Sequence, residues 1–157
     1  MGRQDDAVRH LVEARHLADR FDNVLLAAAS RASLGTQFVA QGRLDEAWSA
    51  LGEGMDLSVK ADSIHCICLC LAGFARLRFS EGDAERAALV AGAVQGLRQR
   101  SGANAWPTLR SGEAEVVERI RQVLGPTRFD QAFTAGERLS RREAVAAARL
   151  QEGVGQR

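Results

Sequence analysis

Gly2-Arg-Gln-Asp-Asp-Ala7, Gly42-Arg-Leu-Asp-Glu-Ala47 and Gly82-Asp-Ala-Glu-Arg-Ala87 are near-copies of one phrase, each opened by a glycine forty residues after the last. The first two copies stay in step through Leu11 and Leu51, Glu13 and Glu53, and Leu17 and Leu57. A period of this length, written in helix-compatible residues, is the pattern of stacked helical hairpins. It predicts an all-α fold in which adjacent hairpins bury one another's apolar faces. Such a stack is a surface for holding another molecule and seldom a site of chemistry.

Composition agrees with that reading. The chain of 157 residues is long enough for a hydrophobic core, and it has only two prolines, no tyrosine and many alanines. Ala loses least on entering a helix and Pro loses most. The formal net charge of +1 gives no field that would draw the chain to nucleic acid or a membrane surface. No stretch has the layout of a secretion signal. The most apolar run, Ile64 to Ala75, is too short to span a bilayer and carries His65 and Gly73. These features predict a soluble, cytoplasmic protein without a membrane partner.

Helical spacing divides the chain further. A first helix from Asp5 to Phe21 carries an apolar stripe of Val8, Leu11, Val12, Leu17 and Phe21. Asp22-Asn23 breaks it, and a second helix follows from Val24 to Gln41. Gly42 closes that one, because glycine accepts the left-handed backbone of a helix end. Helices three and four are expected at Leu44–Lys60 and Ser63–Glu81, the fourth being apolar on more than one face and so the most central. Asp83 is placed to cap a fifth helix, Ala84 to Arg100. Ser101 to Pro107 reads as a loop, with helix six over Gly112 to Leu124 facing Val116, Val117, Ile120, Val123 and Leu124 inward. A short seventh helix carries Phe129, Ala132 and Phe133, and Ser140-Arg-Arg-Glu143 is a capping box for the last. Residues 1–103 form the repeats, 104–150 a helical cap, and 151–157 a frayed tail.

Within the second unit, Leu34-Gly35, Phe38, Gly42, Ala47, Leu51 and Gly54 resemble a tetratricopeptide repeat, in its order of large, small, aromatic and turn positions. The third unit matches more loosely through Phe74, Gly82, Ala87 and Ala91. Forty residues exceed that family's usual repeat, so the resemblance is to a tetratricopeptide-like unit. It implies a right-handed stack of antiparallel hairpins. A second resemblance runs through Ala84-Glu-Arg-Ala-Ala-Leu89, Gly92-Ala93, Leu97-Arg98, Gly102, Leu124-Gly125, Phe129, Ala132-Phe133, Gly136, Leu139-Ser140 and Glu143-Ala144-Val145. These residues look like the end of the helical-repeat arm in large bacterial regulators that join a signal-transduction ATPase to LuxR-type DNA-binding or nucleotide-cyclase domains. The chain departs from such a regulator in having no Gly-x-x-x-x-Gly-Lys-Ser/Thr phosphate loop and no length after Val145 for a helix-turn-helix domain. The resemblance therefore implies a piece of one. Gly2 is expected in the turn between the two helices of a unit, which leaves helix one to pack on helix two or on a neighbour.

No catalytic constellation emerges. His10 and His16 lie among Arg and Glu on the first helix, and Asp5-Asp6 and Asp45-Glu46 sit in helix first turns, where they complement the dipole. Cys66, Cys68 and Cys70 alternate on one apolar helix with no second ligand segment, so they read as small core residues rather than a metal site. No enzyme, cofactor or metal is expected. Arg138, Arg141, Arg142 and Arg149 form a basic end, but Glu137, Glu143 and Glu152 are interleaved, which fits a solvated face better than a phosphate contact. In a tetratricopeptide frame the concave side takes Ala29, Ala32, Thr36 and Val39, then Leu69, Ala72, Arg76 and Phe79. Thr36, Arg76 and Phe79 are the candidate binding residues, with Arg76 an anchor for a carboxylate; the alternative is that later helices cover this face. Trp48 and Trp106 read as packing residues. The expected role is a non-catalytic interaction or effector-sensing arm for a protein, peptide or small effector. Its runner-up is a DNA-contacting fragment of a LuxR-type factor, and a third reading is a homodimer through helix one.

Overall fold

The computed structural model describes residues 2–150, so the expected tail at 151–157 lies outside the described residues. Eight helices and no strand fill the described chain. They are α1 (Gly2–Arg20), α2 (Val24–Ala40), α3 (Leu44–Lys60), α4 (Ile64–Ser80), α5 (Ala84–Ser101), α6 (Pro107–Leu124), α7 (Pro126–Glu137) and α8 (Arg141–Arg149).

The turns recur more finely than every forty residues. Positive φ angles fall at Asp22 (52°), Gly42 (71°), Asp62 (51°), Gly82 (88°) and Gly102 (70°), one every twenty residues. Across the first four of these turns the same bond closes the helix. Asn23, Arg43, Ser63 and Asp83 each donate their amide to the carbonyl five residues back, on Ala18, Phe38, Ser58 and Arg78, at 2.9–3.1 Å. That is the bond of a helix closed by one left-handed residue. Glycine adopts this conformation without a Cβ penalty, and Asp is among the few other residues that tolerate it. The residue after three of the turns caps the next helix with its side chain: Asn23, Ser63 and Asp83 accept the amides of Leu26, Cys66 and Arg86, whereas Arg43 makes no such bond.

Packing follows the same order. Helix α2 packs on α1, α3 and α4, while α4 also packs on α3, α5, α6 and α8. As its sequence predicts, α4 is the central helix, with Cys66 to Leu71, Phe74, Ala75 and Leu77 almost wholly buried. Leu51 of α3 wedges between α2 and α4. A Cβ built on Gly35 would lie 2.5 Å from its Cγ, and one on Gly73 would lie 2.4 Å from its Cδ2. The glycines make the hole and the leucine fills it. Trp48 packs edge-on against Phe74 at 5.3 Å, lies under the Arg78 guanidinium and donates its indole N–H to Glu81.

The carboxy-terminal helices are pinned by backbone contact. A Cβ on Gly92 would lie 2.0 Å from the Phe133 carbonyl, one on Gly96 2.1 Å from the Glu137 carbonyl, and one on Gly136 1.9 Å from the Leu89 carbonyl. Helices α5 and α7 therefore touch main chain to main chain. Helix α8 begins at the predicted capping box of Ser140 and Glu143. It ends on a buried cation: Arg78 donates to the Ala148 carbonyl at 2.9 and 3.2 Å and to that of Leu150 at 2.6 Å.

Five expectations need correction. Gly2 is the first residue of α1 rather than part of a turn, because Arg3 and Gln4 are good helix formers that carry the helix back to it. Helix α6 starts at Pro107, five residues before Gly112, since proline suits the first helical position, where no amide donor is needed. Leu17 and Phe21 stand 45% and 71% exposed at the carboxy-terminal end of α1, where Ala18 between them is buried: the apolar stripe there is wider than the contact that covers it. Val123 is exposed at the far edge of α6. Trp106, expected to pack, is half exposed ahead of Pro107, so only part of its surface does so.

Two predictions follow from this packing. Gly136→Ala should lower unfolding free energy by about 3 kcal/mol in urea titration, because backbone cannot retreat from the added methyl. Gly52→Ala, at a helical position with open space around it, should instead stabilise by up to about 1 kcal/mol. The second concerns Arg31, which joins Asp19 of α1 at 2.9 and 3.0 Å and Glu53 of α3 at 3.1 Å. Its hydrogen bonds hold the Asp19 carboxyl below the ordinary 3.8. A depressed folded value means the link stabilises fully above pH 3.8 and is lost as pH falls through the lower value. Amide exchange should therefore rise first in α1 on acidification, and Arg31→Met should abolish that step.

Candidate functional site

A cleft of about 790 Å³ opens between α4, α5, α6, α7 and the loop after Gly102. Ala72 and Ala75 of α4 and Ala91 and Val94 of α5 form its floor. Val116 and Val117 of α6 and Phe133 of α7 form the opposite wall. The floor is small-residue and apolar because α4 and α5 approach closely there, and the contact of α7 with α5 sets how far α6 stands off. The cleft has room for a small molecule, and its small apolar side chains are interleaved with polar and charged ones.

Its polar groups are mostly paired. Arg98 of α5 and Glu113 of α6 meet through two parallel bonds at 2.5 and 3.0 Å, bridging the cleft from one helix to the other. Burial lowers the basicity of Arg98, but these bonds overcome it and raise the value on balance. Arg110 donates its Nε to the Ala105 carbonyl at 3.1 Å and so ties the loop to α6. Arg121 pairs with Asp130 at 3.3 Å and lies over the Phe129 ring. Arg76 differs. Its guanidinium lies against the α6 backbone, 2.8 Å from where a Cβ on Gly112 would stand, and has no hydrogen-bond or ion-pair partner among the described residues. Burial lowers its basicity, with Glu113 and Glu115 partly offsetting that and Arg119 adding to it. An arginine remains protonated under such a shift.

The candidate residues read from the repeat frame do not converge. Arg76 lines the cleft. Phe79, one turn further along α4, packs at the edge of the cluster around Phe129 and Ile120 and lies under Arg119, 5.4 Å from its ring. Thr36 stands apart: its hydroxyl donates to the Ala32 carbonyl of its own helix at 3.0 Å and abuts Gly73 in the α2–α4 seam. Gly112 of α6 lies against Arg76. Residues that sequence reasoning missed are Arg98 and Glu113. Nothing local marks them, since their pairing depends on α6 folding back across α5.

Elsewhere, the three cysteines are buried and free. Burial pushes the Cys68 thiol up to about 11 and that of Cys70 to about 12, so both stay protonated and unreactive at neutral pH. Among the described residues no group of three or more metal-ligating side chains gathers, and no helix is long and apolar enough to cross a membrane. In the basic end, Arg141 pairs with Asp62, and Arg149 binds Asp56 and the Gly52 carbonyl, which draws both away from external phosphates. Exposed Leu17, Phe21, Leu25 and Leu26 flank the α1–α2 turn.

No protein-family model matches this chain, and no curated protein or solved structure does either.

Glu113→Gln should cost about 2 kcal/mol of stability, the worth of charged hydrogen bonds broken at a half-buried guanidinium. Urea unfolding of that variant beside the parent checks it.

Proposed function

We propose that this protein is a non-catalytic binding module, a tetratricopeptide-like right-handed stack of hairpins closed by a helical cap. We further propose that it serves as the sensing or interaction arm of an ATPase-linked bacterial transcriptional regulator, in the cytoplasm. The observation that carries the module reading is the identical turn every twenty residues, with Leu51 seated between Gly35 and Gly73. Each helix pair is incomplete alone and buries its face on the next, which is how repeat arms present a continuous surface to a partner. The regulator reading is supported by the cap: Gly92 and Gly136, two of the residues that carry that resemblance, are where α5 and α7 touch.

The DNA-contacting reading is weaker, since two of the four arginines at the basic end are held internally. A homodimer has one observation in its favour, the exposed Leu17, Phe21, Leu25 and Leu26. Sedimentation that returns a monomer at micromolar concentration removes it.

Two titrations test the module reading together. A peptide-display selection on the folded chain should return ligands that saturate one site in calorimetry. Duplex DNA should show no binding that weakens steeply between about 50 and 200 mM salt. No saturable ligand, together with steep salt-dependent DNA binding, would overturn the proposal in favour of a DNA-contacting fragment.

A further inference from the structure

Of the four arginines bordering the cleft, three are occupied: Arg98 by Glu113, Arg110 by the loop carbonyl and Arg121 by Asp130. Arg76 alone is half-buried without a hydrogen-bond partner among the described residues. Folding has withdrawn this guanidinium partly from water and given it the nearby charges of Glu113 and Glu115 but no hydrogen bond, so its donors stay open to the cleft, where a ligand can replace water. Beside it lies a floor of alanines and valines with room for a small organic body.

We propose that this cleft binds a small-molecule monocarboxylate with an apolar body, its carboxylate on Arg76 and its body against Ala72, Val94, Val117 and Phe133. The proposal rests on the reading of the chain as a binding module and names its ligand class. Planar, forked guanidinium geometry matches a carboxylate through two parallel bonds. The donors of Arg76 are open to one carboxylate, while the charges of Glu113 and Glu115 nearby disfavour a more highly charged ligand. A dianion would also meet Glu118, which lines the same cleft and takes only a neutral Gln122 amide as partner. The neighbouring Arg98–Glu113 bridge fixes α6 against α5, so the carboxylate joins a preformed wall.

Octanoate, 3-phenylpropanoate and indole-3-acetate serve as probes, each beside its amide and a phosphate ester of matching body. In thermal shift and calorimetry on the whole chain, at least one acid should bind and its amide should not. Arg76→Gln should weaken that acid at least about tenfold, as loss of a charge-assisted pair does. The same variant should unfold at the parent temperature or above it, because Arg76 makes no bond in the free chain. Ala114→Trp, on the rim, should block the acid by filling the cleft and leave the fold intact. Amides binding as well as acids, phosphate esters binding tighter, or Arg76→Gln binding unchanged would each overturn the proposal. If no acid binds but display-selected peptides do, this inference fails and the module reading stands. Failure of both kinds of ligand removes that reading as well.

Discussion

A single hydrogen bond, from an amide to the carbonyl five residues behind it, recurs at Asn23, Arg43, Ser63 and Asp83 and sets the geometry of the first five helices. It needs one left-handed residue immediately before it, which Asp22, Gly42, Asp62 and Gly82 provide. With three residues spent on each turn, α2, α3 and α4 all come out at seventeen residues. Between these turns α3 packs against both α2 and α4. That lets one side chain, Leu51, fill facing glycines on two neighbours at once. Inserting one residue in α3 ahead of Leu51 would turn its side chain by about 100° and empty that hole.

The cap inherits its position from this stack. Because Gly92, Gly96 and Gly136 carry no side chains, α7 lies on α5 at main-chain distance and α6 is left arching over α4 and α5. The arch is the cleft. Arg78 secures the other side by taking the terminal carbonyls of α8, where orphan acceptors would otherwise be left. The two arginines of α4 thus have opposite fates two residues apart. Arg78 is fully engaged in structure, and Arg76 is turned to the cleft with nothing to hold.

Much of the fold could be read from residues. Gly42 and Gly82 mark their turns, Asn23 and Asp83 their caps, and Ser140 with Glu143 the start of α8. Those signals are local, so they survive without tertiary context. The apolar stripe of α1 misled at Leu17 and Phe21 because periodicity shows which face is apolar, not how much of it a neighbour covers. Pro107 misled because proline ends a helix from within and begins one at its first position, and only the path of the chain decides which. For the site, the repeat frame brought Arg76 into view. Yet Thr36 spends its hydroxyl on its own helix, and the surroundings of Arg76 are set by α6, whose course depends on glycine contacts far along the chain.

An experimental crystal structure tests the central claim most directly, through superposition of α2–α3 on α4–α5 with a forty-residue offset. The account predicts that the two pairs coincide, with left-handed backbone at Asp22, Gly42, Asp62, Gly82 and Gly102 and α7 in main-chain contact with α5. Helices running on through those positions, or α7 detached from Gly92 and Gly96, would contradict it.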